Sequence, residues 1–318
     1  MLSMTGVALP KRLTRPEVAP PFRLTDRDVE ILRAVARWRF LTSEQVVRYL
    51  TLRFGATSHQ QVLRRLCALF AHGYLDRPAQ QHMQLAAFLP LVYGLGRQGA
   101  RLLAELGDAT DPHLQWTLKN ARATAVFILH TLETAEALIR FEAAAAARNL
   151  RLIDHAALLP YLPDETQKFD DPFRLRVTTR IEGRPVPLNV IPDRVFSLVM
   201  PEDRRLNFAL EVDRGTMSVA AKKLTSKSSF ARKVHSYLAA WQQKRHLEQW
   251  GFASFRVLTI APSEKRIQSM LTVQRKISNN RLGALFLYAT PQRLEAHGAL
   301  GPAWLSADND GITLIDTR

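Results

Sequence analysis

Ile191-Pro192-Asp193 and Leu210-Glu211-Val212-Asp213 are the stretches whose reading decides the fold. Between them lie two β-rich runs, Arg194 to Met200 and Leu206 to Leu210, around the turn-forming Pro201-Glu202-Asp203-Arg204. A hairpin closed by that turn brings Asp193 close to opposite Glu211. The period-two alternation of a strand then puts Glu211 and Asp213 on one face. Three carboxylates converging on one face repel one another, so something cationic has to sit among them. Either a divalent metal with oxygen ligands or basic side chains would serve.

The chain around this hairpin has 318 residues, enough for two domains, and is 47% hydrophobic and 23% charged, as a globular protein with a proper core is. Its formal charge of +15 favours a polyanionic partner, nucleic acid being the commonest. An arginine-rich surface on an ordinary protein is the plainer reading of the same number. A single cysteine, Cys67, excludes an internal disulfide framework and a thiolate-rich zinc module; within a helical run it reads as a small core residue. Residues 1–23, broken by Pro10, Pro16, Pro20 and Pro21, read as a flexible tail and as neither signal peptide nor membrane anchor. No stretch reaches transmembrane length, and the expected location is the cytoplasm.

Thr25-Asp26-Arg27-Asp28 marks a helix start, with Val29, Leu32, Val35 and Ala36 at helical spacing. A second helix begins at Thr42-Ser43-Glu44, and a third runs from about Thr57 to His72 before Gly73. A β-like segment from Leu85 to Leu95 and a helix from Arg97 to Leu106 follow. That order predicts a winged helix-turn-helix domain over residues 24–107, then a linker at 108–117. A long helical stretch from Leu118 to Asn149 comes next. Strands are expected near Phe173–Ile181, Val186–Ile191, Val195–Val199 and Leu206–Val212, then a basic helix over Val219–Gln249. Strand Phe255–Ile260, helix Glu264–Ile277 and strand Ala284–Tyr288 complete a mixed α/β domain over 118–318.

The third helix places Val62, Leu66, Leu69 and Phe70 on one side. Thr57, Ser58, Gln60, Gln61, Arg64 and Arg65 lie largely on the other, the residue types that read base edges and grip phosphates. A solvated face of a protein–protein module is the alternative. Gly94-Leu95-Gly96-Arg97-Gln98-Gly99 matches a dinucleotide fingerprint, but no second strand ending in an acid follows, and it reads better as the end of a wing packed on a helix. Phosphate-loop, nucleophile-elbow and zinc-protease motifs do not occur. From Arg214 to Leu247 the chain has no acid, while Lys222, Lys223, Lys227, Arg232, Lys233, Lys244 and Arg245 accumulate. Such a cationic segment after an acidic hairpin could hold a phosphodiester against a metal. More plainly, Arg214 and Lys233 would neutralise Asp193, Glu211 and Asp213 as ion pairs.

Thr25-Asp26-Arg27-Asp28, Tyr93-x-Leu95-x-x-x-Gly99, Pro192-Asp193 and Glu211-Val212-Asp213-Arg214-Gly215-Thr216 together resemble the replication-relaxation family of plasmid and mobile-element proteins. Lys233-Val234-His235-Ser236-Tyr237 and the stretch Val257–Arg266 continue the match. The resemblance implies a winged helix joined to a restriction-endonuclease-like core. In that pattern Asp193 and Glu211 are the catalytic and metal-binding acids, for Mg²⁺ or Mn²⁺. Asp213 stands where a lysine is expected, and Lys233, or Lys227, would replace that lysine from the following helix. Glu133 or Glu136 would add a further acid.

The expected function is therefore a protein of a plasmid or mobile element that binds double-stranded DNA in replication, relaxation or mobilisation. Its DNA contacts would be Thr57, Ser58, Gln60, Gln61, Arg64, Arg65, Lys222, Lys223 and Lys227, with other replication or mobilisation proteins as further partners. No membrane is implied, and the oligomeric state is open between monomer and dimer. A metal-dependent endonuclease is the alternative from the enzyme class. A transcriptional regulator with a ligand- or partner-sensing second domain is the third.

Overall fold

The computed structural model describes residues 11–83, 90–108, 116–181, 184–220, 229–279 and 283–315. It forms two compact units, Met1–Ile139 and Arg140–Arg318.

In the N-terminal unit, helix α1 (Asp26–Trp38) starts at a complete capping box between Thr25 and Asp28. Strand β1 (Phe40–Thr42) leads into α2 (Ser43–Phe54), capped the same way by Thr42 and Gln45, and α3 (His59–Ala71) starts at Ser58. Then come β2 (Leu75–Asp76), α4 (Gln80–Met83), β3 (Val92–Leu95), α5 (Arg97–Glu105) and α6 (Trp116–Ala121). The strands pair antiparallel in the order β1-β3-β2. The apolar stripes the sequence shows are the core: Ile31, Leu32, Val35, Val46, Leu50, Val62, Leu66 and Leu69 are all buried.

Two expectations need correcting here, and a third reading holds. Cys67 is exposed, with its sulfur 3.2 Å from an Arg77 guanidinium nitrogen, because it falls on the outer side of α3. The described part of the expected tail is anchored: Arg15 donates to the carbonyls of Phe70 (2.9 Å) and Leu75 (3.1 Å), and the Phe22 ring stacks 4.9 Å from His72. The glycines of the fingerprint serve packing. A Cβ on Gly96 would lie 2.3 Å from the Gly73 carbonyl oxygen, and one on Gly99 would lie 2.3 Å from that of Tyr74. The room a pyrophosphate would need is filled by the chain's own backbone.

The expected helix over Leu118–Asn149 is α6 and a separate α7 (Ala125–Ala146), and the division between units falls inside α7. Residues 118–139, expected with the second domain, thus belong to the N-terminal unit, where Ile128 and Leu132 join Phe40 and Val92.

The C-terminal unit runs β4 (Arg151–Ile153), α8 (His155–Leu158), α9 (Asp164–Gln167), β5 (Leu175–Ile181), β6 (Arg184–Val190), β7 (Arg194–Val199) and β8 (Arg205–Val212). Then follow α10 (Phe230–Gln242), α11 (Arg245–Trp250), β9 (Arg256–Ile260), α12 (Glu264–Ser278), β10 (Phe286–Ala289) and α13 (Pro291–His297). Five strands form one mixed sheet in the order β10-β9-β8-β7-β4. β8, β9 and β10 are parallel, linked through α10 and α12, while β7 and β4 run antiparallel. Val195, Ala209 and Val257 on one face meet Val234 and Tyr237 of α10 and Ile267 and Met270 of α12. On the other face Phe196 stacks on Phe208 at 5.1 Å and lies 4.8 Å from Phe141. β5 and β6 form a separate two-stranded sheet. Helices α10 and α12 cover one face of this mostly buried sheet and Phe141 of α7 packs on the other, an α/β fold.

The basic helix expected over Val219–Gln249 is shorter. It starts at the Ser229 cap and stops at Gln243, where Lys244 takes a left-handed conformation (φ 54°) before α11. Lys222, Lys223 and Lys227 lie outside the described residues.

Candidate functional site

The β7–β8 hairpin closes as the sequence implies. Its turn, Pro201–Asp203, puts Glu202 and Asp203 at positive φ, and the Met200 amide donates to the Arg204 carbonyl at 2.8 Å. The register pairs Arg194 with Leu210, so Asp193 comes opposite Glu211. The Asp193 amide donates to the Leu210 carbonyl (3.1 Å), and its Oδ2 accepts from the Val212 amide (2.7 Å).

Glu211 is only 4% exposed. Lys233 Nζ donates to its Oε2, and the Tyr237 hydroxyl donates to its Oε1 at 2.6 Å. Both donors come from α10, one helical turn apart, which is why one carboxylate can take both. Burial pushes the Glu211 carboxyl above its ordinary value; Lys233 pulls it back, and Asp193 pushes it up further. Burial works to lower the Lys233 ammonium, but Glu211, Asp193 and Asp213 outweigh it and hold it above its ordinary value. Lys233 therefore stays a cation within the field of all three acids.

Asp213 is held elsewhere. Arg266, near the start of α12, binds it through both guanidinium arms, Nε to Oδ2 at 2.8 Å and Nη2 to Oδ1 at 3.0 Å. Both side chains are largely buried. The Asp213 amide donates to the Ile260 carbonyl at 2.8 Å, so this acid also ties the end of β8 to β9.

The structure thus brings Asp193, Glu211 and Lys233 together and assigns Asp213 to Arg266. Sequence reasoning gave no role to Tyr237 or Arg266. The Lys233/Tyr237 spacing on one helix face is a signal for the first; Arg266, far along the chain from Asp213, leaves none. Glu136 lies in the N-terminal unit, where Arg48 and Gln45 Nε2 (3.3 Å) bind it.

As placed, these residues do not fit a divalent metal. Both Glu211 oxygens accept hydrogen bonds from Lys233 and Tyr237, and an ammonium stands where a cation would be needed. Among the described residues, no three His, Cys, Asp or Glu side chains are grouped to hold a metal ion.

In the N-terminal unit, the residues expected to contact DNA divide. Ser58, Gln60, Gln61 and Arg64 are exposed at the start of α3, while Thr57 is half-buried with its hydroxyl donating to the Gly55 carbonyl at 2.9 Å. Arg65 is committed inward. Its Nε donates to Asp28 Oδ1 at 2.9 Å, its Nη2 to the Arg23 carbonyl at 2.8 Å, and it lies 4.5 Å over the Phe22 ring. A groove of about 390 Å³ beside the helix start is lined by Arg27, Thr57, Gln61 and Arg64 over an apolar floor of Ile31 and Leu50.

Residues 32–254, more than two-thirds of the chain, match the family profile described as Replication-relaxation. The chain belongs to the replication-relaxation family. No curated protein and no solved structure gives a match. Among the described residues of this family member, no helix is long and apolar enough to cross a membrane.

Proposed function

We propose that this replication-relaxation protein binds the double-stranded DNA of a plasmid or mobile element and acts in its replication, relaxation or mobilisation. The N-terminal unit would be a winged helix-turn-helix, with the start of α3 in the major groove. One observation carries this reading: α3 buries Val62, Leu66 and Leu69 while Ser58, Gln60, Gln61 and Arg64 stand exposed beside a groove that also holds Arg27. Short polar groups and arginine at a helix start suit base edges and phosphates. The test is binding of duplex plasmid DNA by the full chain over a salt series. Arg64→Ala should weaken binding and lower the log–log salt slope by about 0.9, the share of one phosphate contact. Unchanged affinity and slope would remove α3 from the interface.

For the C-terminal unit we infer a nuclease-like fold that handles DNA without cutting it. The opposed Asp193 and Glu211 with Lys233 beside them support the nuclease-like part. The full occupation of Glu211, and of Asp213 by Arg266, supports the absence of cleavage. Supercoiled plasmid incubated with the protein and Mn²⁺ should stay supercoiled. Metal-dependent nicking that disappears in Glu211→Ala would establish the endonuclease alternative instead.

A further inference from the structure

The β5–β6 hairpin of the C-terminal unit has two faces of opposite character. Its register pairs Arg176 with Asn189, Thr178 with Pro187 and Arg180 with Pro185. Leu175, Val177, Leu188 and Val190 point inward and are buried in the core that includes α10. Arg176, Thr178, Arg180, Pro185, Pro187 and Asn189 alternate with them, and all six are exposed or nearly so. Neither strand contains an acidic residue. The connecting Glu182 and Gly183 lie outside the described residues.

Both edges of this hairpin are closed to a further strand. On the β5 side, Arg245 Nε donates to the Arg176 carbonyl at 3.2 Å and Gln243 Nε2 donates to the Thr178 carbonyl at 2.5 Å. On the β6 side, Pro185 and Pro187 have no amide hydrogen to offer. A β-strand partner is thereby disfavoured, and the outer face is what remains for recognition. Arg176 and Arg180 stand about 13 Å apart along it, four strand residues at about 3.3 Å each. Neither forms an ion pair among the described residues, and Lys244 and Arg245 add cations where the α10–α11 turn meets β5. Arg245 alone is offset, by Glu248 at 2.6 Å. Opposite Arg176, Asn189 reaches a pocket of about 160 Å³ that it shares with Ser229, Arg232 and Lys233.

We propose that this outer hairpin face is a second DNA surface, separate from α3, in which Arg176 and Arg180 grip the phosphodiester backbone. Arg176 and Arg180, with no ion pair among the described residues, beside small polar residues and rigid prolines, complement a regular polyanion. A protein partner would call for an apolar centre, which this face lacks. The inference rests on the DNA-binding reading above, though on none of the residues of α3.

The test uses the full chain, a fluorescent DNA duplex, a matching single strand, and a salt series. Arg176→Ala with Arg180→Ala should lower the log–log salt slope by about 1.8 if the face holds duplex and by about 1.4 if it holds a single strand. Arg176→Lys with Arg180→Lys should keep most of the slope, since charge is retained, and this separates lost contact from lost fold. If the wild type and the Arg64→Ala variant behave as expected but the double alanine variant keeps the full slope on both DNAs, the hairpin surface is wrong and the α3 reading stands. If the wild type binds neither DNA, both readings fall together.

Discussion

At Arg65 the guanidinium reaches Asp28, a carboxylate with no solvent exposure that also closes the α1 capping box, while its neighbour Arg64 points into water. Removing Arg65 leaves Asp28 buried with a charge satisfied only by Thr25. Arg65→Ala should therefore lower unfolding stability by about 2–4 kcal/mol in a urea titration, whereas Arg64→Ala should change it by less than about 0.5 kcal/mol. Equal midpoints for the two variants would show the Asp28 pair to be idle. The same logic governs Lys233. Lys233→Met strands the ionised Glu211 and should cost about 3–5 kcal/mol. Glu211→Gln added to it removes the stranded charge and should recover most of the loss, because a neutral amide can still accept from Tyr237. A double variant as unstable as the single one would mean that packing of the lysine stem, and not charge, holds α10 to the sheet.

At the scale of elements, α8 shows how a short helix is fixed and how pH loosens it. His155 Nδ1 accepts from the Val195 amide at 3.3 Å, and its ring lies 4.0 Å from Phe173. Burial, with Arg194 nearby, lowers the His155 imidazole to about 4. A depressed histidine is neutral in the fold but takes up a proton in the unfolded chain once pH drops below about 6.5. Stability from this site is thus complete above pH 6.5 and is lost as pH falls towards 4, where the folded form also protonates. Urea midpoints should decline over that window, and His155→Gln should flatten the decline; an equally steep variant would assign it to other groups. Elements were legible in the sequence where a local signal marks them. Thr25 and Thr42 announced α1 and α2, the start expected at about Thr57 falls two residues before α3, and Pro201–Arg204 announced the hairpin that sets Asp193 against Glu211. The joins were not legible. Helical periodicity runs unbroken through the Arg122–Thr124 and Gln243–Lys244 interruptions, which contain neither Pro nor Gly; the second depends on a left-handed Lys244 that only tertiary packing specifies. β4 is too short for periodicity and exists because β7 pairs with it. The Asp213–Arg266 pair is set by the β8–β9 alignment, a relation between distant segments that no local pattern encodes.

At the scale of the whole chain, the +15 charge bears on how the proposed DNA binding would work, by basic residues touching phosphate or by the field they sum to. The acid-free run from Arg214 to Leu247 carries Lys222, Lys223 and Lys227 immediately before α10, whose Lys233 is already occupied by Glu211. Lysine is a compact point charge on a long stem, of the kind that phosphate contacts use. Contact and field make different predictions. A contact releases counterions at equilibrium, so Lys222→Gln, Lys223→Gln and Lys227→Gln together should lower the log–log salt slope of duplex binding by about 2.7. A field alone speeds association at low salt and leaves the slope of a short-range interface nearly unchanged. We expect the first, since three lysines within six residues bring a density of positive charge that a phosphate backbone can match. Equilibrium titrations paired with stopped-flow association rates, on one duplex and across one salt series, read both quantities. A slope that stays at the wild-type value while the low-salt on-rate falls would reduce these lysines to steering and leave Arg64, Arg176 and Arg180 as the proposed phosphate contacts of this replication-relaxation protein.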